Sequence, residues 1–387
     1  MIVDQRRLAV ALCGFCAFLN LYSPQALLPE LARQFGETPA ATSVIMYAGT
    51  SAVALTAPLT GAIADVLGRK RVVVAAMFAV CIPMLLVATA PSVAGIAGWR
   101  FVQGLFLPPI FAVIVAYIGD EWPPHEIAGT TGIYVMGASA GGFSGRMIPG
   151  LLTDIAGWRF AFVVLAVITF LAAIAVARLL PREKNFVRSQ GIAVSLRQML
   201  RHLRQPQLLA TYFVGAGTLF NFVATFTYVS FLLAAPPYRF SNAGLGAIFI
   251  TYIVGAFIAP WTGRLIGRFG RRAFMLCLIV TWMVGALITT LPSLAAIALG
   301  LVFCAACGLV CQTISTGYVT MIAKEGRSSA VGLYVSFFYI GGSAGAFFPG
   351  LTWSSGGWPA TVAMLIVAQS TMALIVASVW PRKQPVA

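Results

Sequence analysis

Residues Gly132–Trp158 read GIYVMGASAGGFSGRMIPGLLTDIAGW, and residues Gly332–Trp358 read GLYVSFFYIGGSAGAFFPGLTWSSGGW. Gly132, Tyr134, Gly141, Gly142, Gly145, Pro149, Gly150, Leu151, Gly157 and Trp158 therefore recur without a gap as Gly332, Tyr334, Gly341, Gly342, Gly345, Pro349, Gly350, Leu351, Gly357 and Trp358. A second set, Pro58, Gly61, Gly68 and Arg69, recurs as Pro260, Gly263, Gly270 and Arg271. The chain that carries both sets is 60% hydrophobic and only 9% charged, far below the charge of a soluble domain. Duplication in so apolar a chain points to a membrane protein built from two related halves.

Apolar runs follow one another almost without pause. Twelve spans fit, at about 8–30, 40–64, 72–90, 93–118, 128–152, 159–180, 208–234, 242–266, 273–291, 293–321, 329–353 and 359–380, each long enough to cross a bilayer. The expected architecture is an all-α membrane protein of twelve transmembrane helices in two pseudo-symmetric six-helix bundles. They cover residues 1–180 and 208–387, joined by a basic linker at 181–207. The linker segment from Val194 to Leu203 has the make-up of a helix lying at lipid headgroups.

The net charge of +15 does not call for nucleic acid. Arg33, Arg159 and Arg239 fall on one side of the predicted spans and Arg100 and Arg146 within them. All other Lys and Arg residues collect in connections on the opposite side, as the positive-inside rule requires. Both termini are thereby expected in the cytoplasm of a bacterial-type plasma (inner) membrane. The apolar start runs on through Asn20, Pro24 and Pro29 without a convincing cleavage site, so it reads as a retained first span. His125 and His202 are the only histidines, and no phosphate-cradling Gly-Lys-Ser/Thr loop exists, so neither an enzyme nor ATP hydrolysis is expected. No cofactor or metal is expected either.

Gly61-Ala-Ile-Ala-Asp65-Val-Leu-Gly68-Arg69-Lys70-Arg71 lies between the second and third spans, and Gly263-Arg-Leu-Ile-Gly267-Arg-Phe-Gly270-Arg271-Arg272 between the eighth and ninth. The first resembles the loop signature of the major facilitator superfamily, and the second its degenerate copy. Arg100-Phe-Val-Gln103-Gly104 is similar to the family's Arg-x-x-x-Gly motif. The fifth span resembles the antiporter motif of the family's drug:proton branch, with Arg146 in place of a proline and Pro149 in place of a glycine. The resemblance implies alternating access, with Asp65, Arg69, Asp120, Glu121, Gly61 and Gly68 forming a conformational latch. A carboxylate at Asp65 can also meet a helix N-terminus, where the dipole favours negative charge.

A charge within a span usually faces a cavity and has a task. Arg100 and Arg146 are two such cations, and no carboxylate lies near mid-membrane in any predicted span. An anionic cargo group is one candidate partner; helix-end carbonyls and Gln103 for Arg100, and Glu30 or Asp154 for Arg146, are the structural alternatives. Glu30, Arg100 and Arg146 are the candidates for proton or substrate coupling. Asn20, Tyr22, Gln25 and Gln103, with Asn221, Tyr228, Gln312 and Tyr339 in the second half, are candidates to read a substrate, against the plainer role of interhelical hydrogen bonds. Gly137, Gly141 and Gly145, and Gly341 and Gly345, line helix faces that either pack closely or slide. Cys13 and Cys16, and Cys304, Cys307 and Cys311, share helix faces where soft-ion binding competes with simple packing.

The resemblance implies export of a small organic compound by proton antiport, as in multidrug-resistance efflux, and a monomer is expected. Its partners are the substrate, protons and the lipid bilayer. Alternatives are an organic-anion transporter using Arg100 and Arg146, a thiol-seeking metalloid efflux permease, and a non-transporting membrane sensor.

Overall fold

A computed structural model describes residues 4–184, 192–252, 254, 258, 261–323 and 326–381. Among them the ordered elements are helical. They run α1 (Gln5–Tyr22), α2 (Leu28–Phe35), α3 (Pro39–Leu67), α4 (Arg69–Thr89), α5 (Val93–Glu121), α6 (Pro124–Ala156), α7 (Trp158–Leu179) and α8 (Ile192–Leu203). The second half continues with α9 (Pro206–Ala234), α10 (Asn242–Ala247), α11 (Thr262–Phe269), α12 (Arg271–Ile288), α13 (Leu294–Ile322) and α14 (Arg327–Val379). The twelve expected spans map onto these elements with three differences, one being that the described residues of the eighth are divided between α10, a 3-10 turn at Ile248–Thr251 and α11. The first span is broken after Tyr22, so α1, a 3-10 turn at Gln25–Leu27 and α2 share it. The last two expected spans form the single element α14, which turns at Gly356 and Gly357, where the backbone leaves helical geometry.

Glycine makes the tight turns. Gly68 (φ 91, ψ 138) separates α3 from α4, and its repeat Gly270 (φ 78, ψ 148) separates α11 from α12. Gly157 (φ 85) between α6 and α7 is matched by Gly357 (φ 59) within α14. A side chain at positive φ is strained there, which is why these positions recur as glycine in both halves.

The chain divides into two compact units. One holds Met1–Glu37, Val44–Val194 and Phe240–Ala247; the other holds Thr38–Ser43, Ser195–Arg239 and Ile248–Ala387. In the first, α6 lies against α1 so closely that a Cβ on Gly137, Gly141 or Gly145 would run into the carbonyls of Ala11, Phe15 and Leu19. In the second, Gly341 and Gly345 meet the carbonyls of Ala216 and Phe220 in the same way. The glycine faces are thus backbone-to-backbone seams, the packing that small residues permit between membrane helices. Large apolar side chains such as Leu55, Ile82, Leu171, Val367 and Leu374 point outward instead, as lipid requires.

Candidate transport site and latch

Pro24 sets the chemistry of the broken span. It has no N–H, so the carbonyl of Asn20 loses its helical donor, and the 3-10 turn that follows diverts the next one. Arg100 on α5 supplies the missing donors. Its Nη1 donates to Asn20 O at 2.8 Å and its Nη2 to Leu21 O at 2.5 Å, while Gln103 Oε1 accepts from the same guanidinium. Gln103 Nε2 then donates to Asn20 Oδ1 at 3.0 Å, and Asn20 Nδ2 to Thr169 Oγ1 at 2.9 Å and Cys16 O at 2.7 Å. Arg100, Gln103 and Asn20 are all buried. This network ties α1, α5 and α7 together through both Nη groups of Arg100, the partners of the structural alternative given above, while Arg100 Nε is buried without a hydrogen bond among the described residues.

Arg146 reaches the same break from α6. Its Nε donates to Gln25 Oε1 at 2.8 Å, its Nη1 to Gly142 O at 2.7 Å, and its guanidinium carbon stands 4.0 Å from the centre of the Tyr22 ring. The side chain is only 1% exposed, so it does not snorkel to water. These contacts are to an amide, a carbonyl and a ring. A desolvated cation–π contact of this kind is worth about 2 kcal/mol. Tyr22, Gln25 and Arg146 are therefore brought together at the point where the first span is discontinuous.

The second unit repeats the frame but not the chemistry. Gly14 abuts the Tyr134 ring, and Gly215 abuts the Tyr334 ring, which places Asn221 where Asn20 stands in the first unit. Asn221 Nδ2 donates to Gly217 O at 2.8 Å, as Asn20 does to Cys16 O. In matching register, Leu301 and Cys304 replace Arg100 and Gln103, and Gln369 replaces Thr169. Asn221 Oδ1 and both amide atoms of Gln369 are buried with no hydrogen-bond partner among the described residues. Tyr228 donates to Ala346 O at 2.8 Å; Tyr339 is buried beside Phe338, and Gln312 is half-buried. The composition of the seventh and eighth spans did not single out one feature: Phe222, Phe226 and Phe249 surround Tyr252, with ring centres 4.7–5.4 Å from it. Phe222, Phe226 and Phe249 were legible only as apolar residues, because α9 and the turn around Ile248–Thr251 meet through tertiary packing.

The loop motif is assembled as an ion-pair cluster. Arg69 Nη1 lies 2.6 Å from Asp120 Oδ2, and Nη2 lies 3.9 Å from Asp65 Oδ1 one helical turn earlier. Glu183 adds to it, accepting from Lys70 N at 3.3 Å and lying against Gly68. Glu121 accepts from Lys184 N at 2.8 Å, and its carbonyl from Arg6 at 3.1 Å. Gly61 is a bystander, since a Cβ there would meet nothing within 4 Å. Gly267 stands at the position of Asp65 in the second copy, so that copy has no acid to pair.

Two acids near span ends behave differently from each other. Glu30 pairs with exposed Arg33. Asp154, just past the fifth span, accepts from Asn242 N at 3.1 Å, Asn242 Nδ2 at 2.8 Å and Ala243 N at 2.9 Å, and so clamps the first turn of α10. Desolvation raises its pKa, but these bonds and one from Ser241 outweigh it and hold the carboxyl below its ordinary value. Asp154 therefore stays ionised near neutrality in this conformation. Cys13 contacts the Met77 sulfur at 3.9 Å, and among the described residues no group of three or more His, Cys, Asp or Glu is placed to hold a metal ion. The metalloid reading gains no site from the fold.

Sequence comparison matches the Major Facilitator Superfamily model to residues 10–259 and 217–387. The chain belongs to the major facilitator superfamily. It is 30% identical over 353 residues to the uncharacterized MFS-type transporter YybF of Bacillus subtilis, covering 91% of this chain and 87% of that one. It is also 30% identical over 367 residues to the inner membrane transport protein YnfM of Escherichia coli, covering 93% and 87%. The crystal structure of the nucleoside transporter NupG (D323A mutant) superposes with a TM-score of 0.76 at 14% identity over 97% of this chain and all of that one. The protein is thus a multi-pass membrane transporter and not an enzyme, and the sensor reading gives way.

Proposed function

We propose that this transporter exports a small organic compound in exchange for protons, by alternating access, with both termini in the cytoplasm and the monomer as the working unit. The observation that carries the reading is the discontinuity of the first span, where Tyr22, Gln25 and Arg146 converge. Broken helices at the repeat interface are where secondary transporters place cargo and coupling ions. The Arg69–Asp120 and Arg69–Asp65 pairs support a cycle in which a charged latch is made and released.

A second reading, cargo bearing an acidic group, draws on Arg146. A buried guanidinium at the broken span can give a carboxylate or phosphate charge-assisted, bidentate hydrogen bonds. Arg100 no longer contributes to that reading, because its donors serve the carbonyls of α1. The experiment is substrate-triggered proton movement in liposomes of the purified protein, tested with cationic drugs, neutral metabolites and organic acids. Proton flux with at least one class supports exchange. Flux confined to acids, and lost in Arg146→Gln, selects the second reading; cargo uptake with no proton movement overturns proton coupling.

A further inference from the structure

The described side chains of helix α8 fall on two faces, and one of these is docked on the fold. Gln198, His202 and Met199 share an arc of about 100° on the helix. Gln198 Oε1 accepts from Ser329 Oγ at 3.1 Å, His202 Nε2 lies 3.3 Å from Gly326 O, and Met199 Cε lies 3.9 Å from the Cβ position of Gly332. This face is docked on the first turns of α14, and His202 is buried by it. The dock fixes the rotation of α8 about its axis.

The opposite arc, again about 100° wide, carries Arg197, Leu200, Arg201 and Arg204. All four are exposed. Leu200, 58% exposed, lies at one edge of this arc beside Arg197 and Arg201, with Arg204 in the turn that follows the helix. The helix is tethered on both sides by membrane spans, α7 ending at Leu179 and α9 beginning at Pro206. Arg204 lies two residues before the start of α9, which keeps this face near the end of a membrane span. Soluble acidic partners would be met by the charges alone; an apolar residue seated beside them suits a surface that offers phosphate and acyl chain together.

We propose that Arg197, Arg201 and Arg204, with Leu200 beside them, form a binding site for anionic phospholipid headgroups. The site is oriented by the docking of Gln198, Met199 and His202 on α14. Its partner is the lipid phosphate, recognised by charge, with the leucine entering the headgroup–acyl boundary.

The test is titration of the detergent-solubilised full chain with phosphatidylglycerol and with phosphatidylcholine, bound lipid being counted by native mass spectrometry. The wild type is expected to prefer phosphatidylglycerol. The Arg197→Gln/Arg201→Gln/Arg204→Gln variant is expected to lose that preference by on the order of 100-fold, the product of three surface charges. The corresponding triple Lys variant should keep most of it, and Leu200→Ser should weaken binding of the anionic lipid with all charges in place. Equal binding of the two lipids, or an undiminished preference in the triple Gln variant, overturns the proposal. So does displacement of phosphatidylglycerol by inorganic phosphate at equal concentration, which would mark a free-anion site.

Discussion

Arg100 and Arg146 are two buried cations that differ in what they leave available. Arg100 donates to two buried carbonyls at the Pro24 break, so its loss leaves Leu21 O without that donor and Asn20 O with the Ser23 hydroxyl alone of the two side chains that donate to it. Arg100→Met is expected to destabilise the protein by about 3 kcal/mol or more, since several charge-assisted bonds vanish together, and denaturant unfolding in detergent will read it. Arg146→Gln should cost less stability, because Gln25 and Gly142 can be met by another amide, while transport of acidic cargo falls. The second unit offers the opposite case. Gln369 has two buried amide atoms without partners among the described residues, so Gln369→Leu should be neutral or stabilising by up to about 1 kcal/mol. Asn20→Leu, which breaks a satisfied network, should be clearly destabilising in the same assay. The arginines were conspicuous in the sequence, and so was Pro24. The consequence of Pro24 for the carbonyl of Asn20 follows from the chemistry of proline, but which side chain fills the gap depends on α5 packing there.

At the scale of the element, the repeated glycines divide into groups. Gly141 and Gly341 sit at carbonyls of a neighbouring helix, so Gly141→Val or Gly341→Val should abolish folded, monodisperse protein on size-exclusion chromatography. Gly61→Ala, with open space around the new methyl, should leave yield unchanged or improve it by a few tenths of a kcal/mol through helix propensity. The periodicity of these glycines was legible, yet the sequence left static packing and sliding equally open. The missing space beside Gly141 and Gly341 favours tight packing in this conformation. Helix α10 is governed by a distant acid. Asp154 is ionised above its ordinary carboxyl pKa of 3.8 and, with a lowered folded pKa, remains so until the pH falls further. The clamp on Asn242 and Ala243 is therefore expected to persist from about pH 8 to 5. Hydrogen-exchange protection at these amides, corrected for intrinsic rates, should be constant over that range in the wild type and should fall several-fold in Asp154→Ala.

For the whole molecule, the duplication is asymmetric where it matters for the cycle. The first unit carries Asp65, Arg69 and Asp120 as a closed cluster, whereas the second copy of the loop has Gly267 at the position of Asp65. Asp120→Asn, like Asp65→Asn, is thus expected to change turnover several-fold in proteoliposomes while substrate affinity stays nearly constant. A large change in affinity at normal turnover would contradict the latch role. The two halves, their spans and the positive-φ turns at Gly68, Gly157, Gly270 and Gly357 follow from the sequence itself, because bilayer length, hydropathy and backbone sterics act locally. The assignments of Arg100 to the carbonyls of α1, of Arg146 to Tyr22 and Gln25, and of Asp154 to α10 were decided only by the tertiary structure. A buried polar atom takes whichever partner the packing of distant helices leaves within about 3 Å, and no local rule along the chain contains that distance.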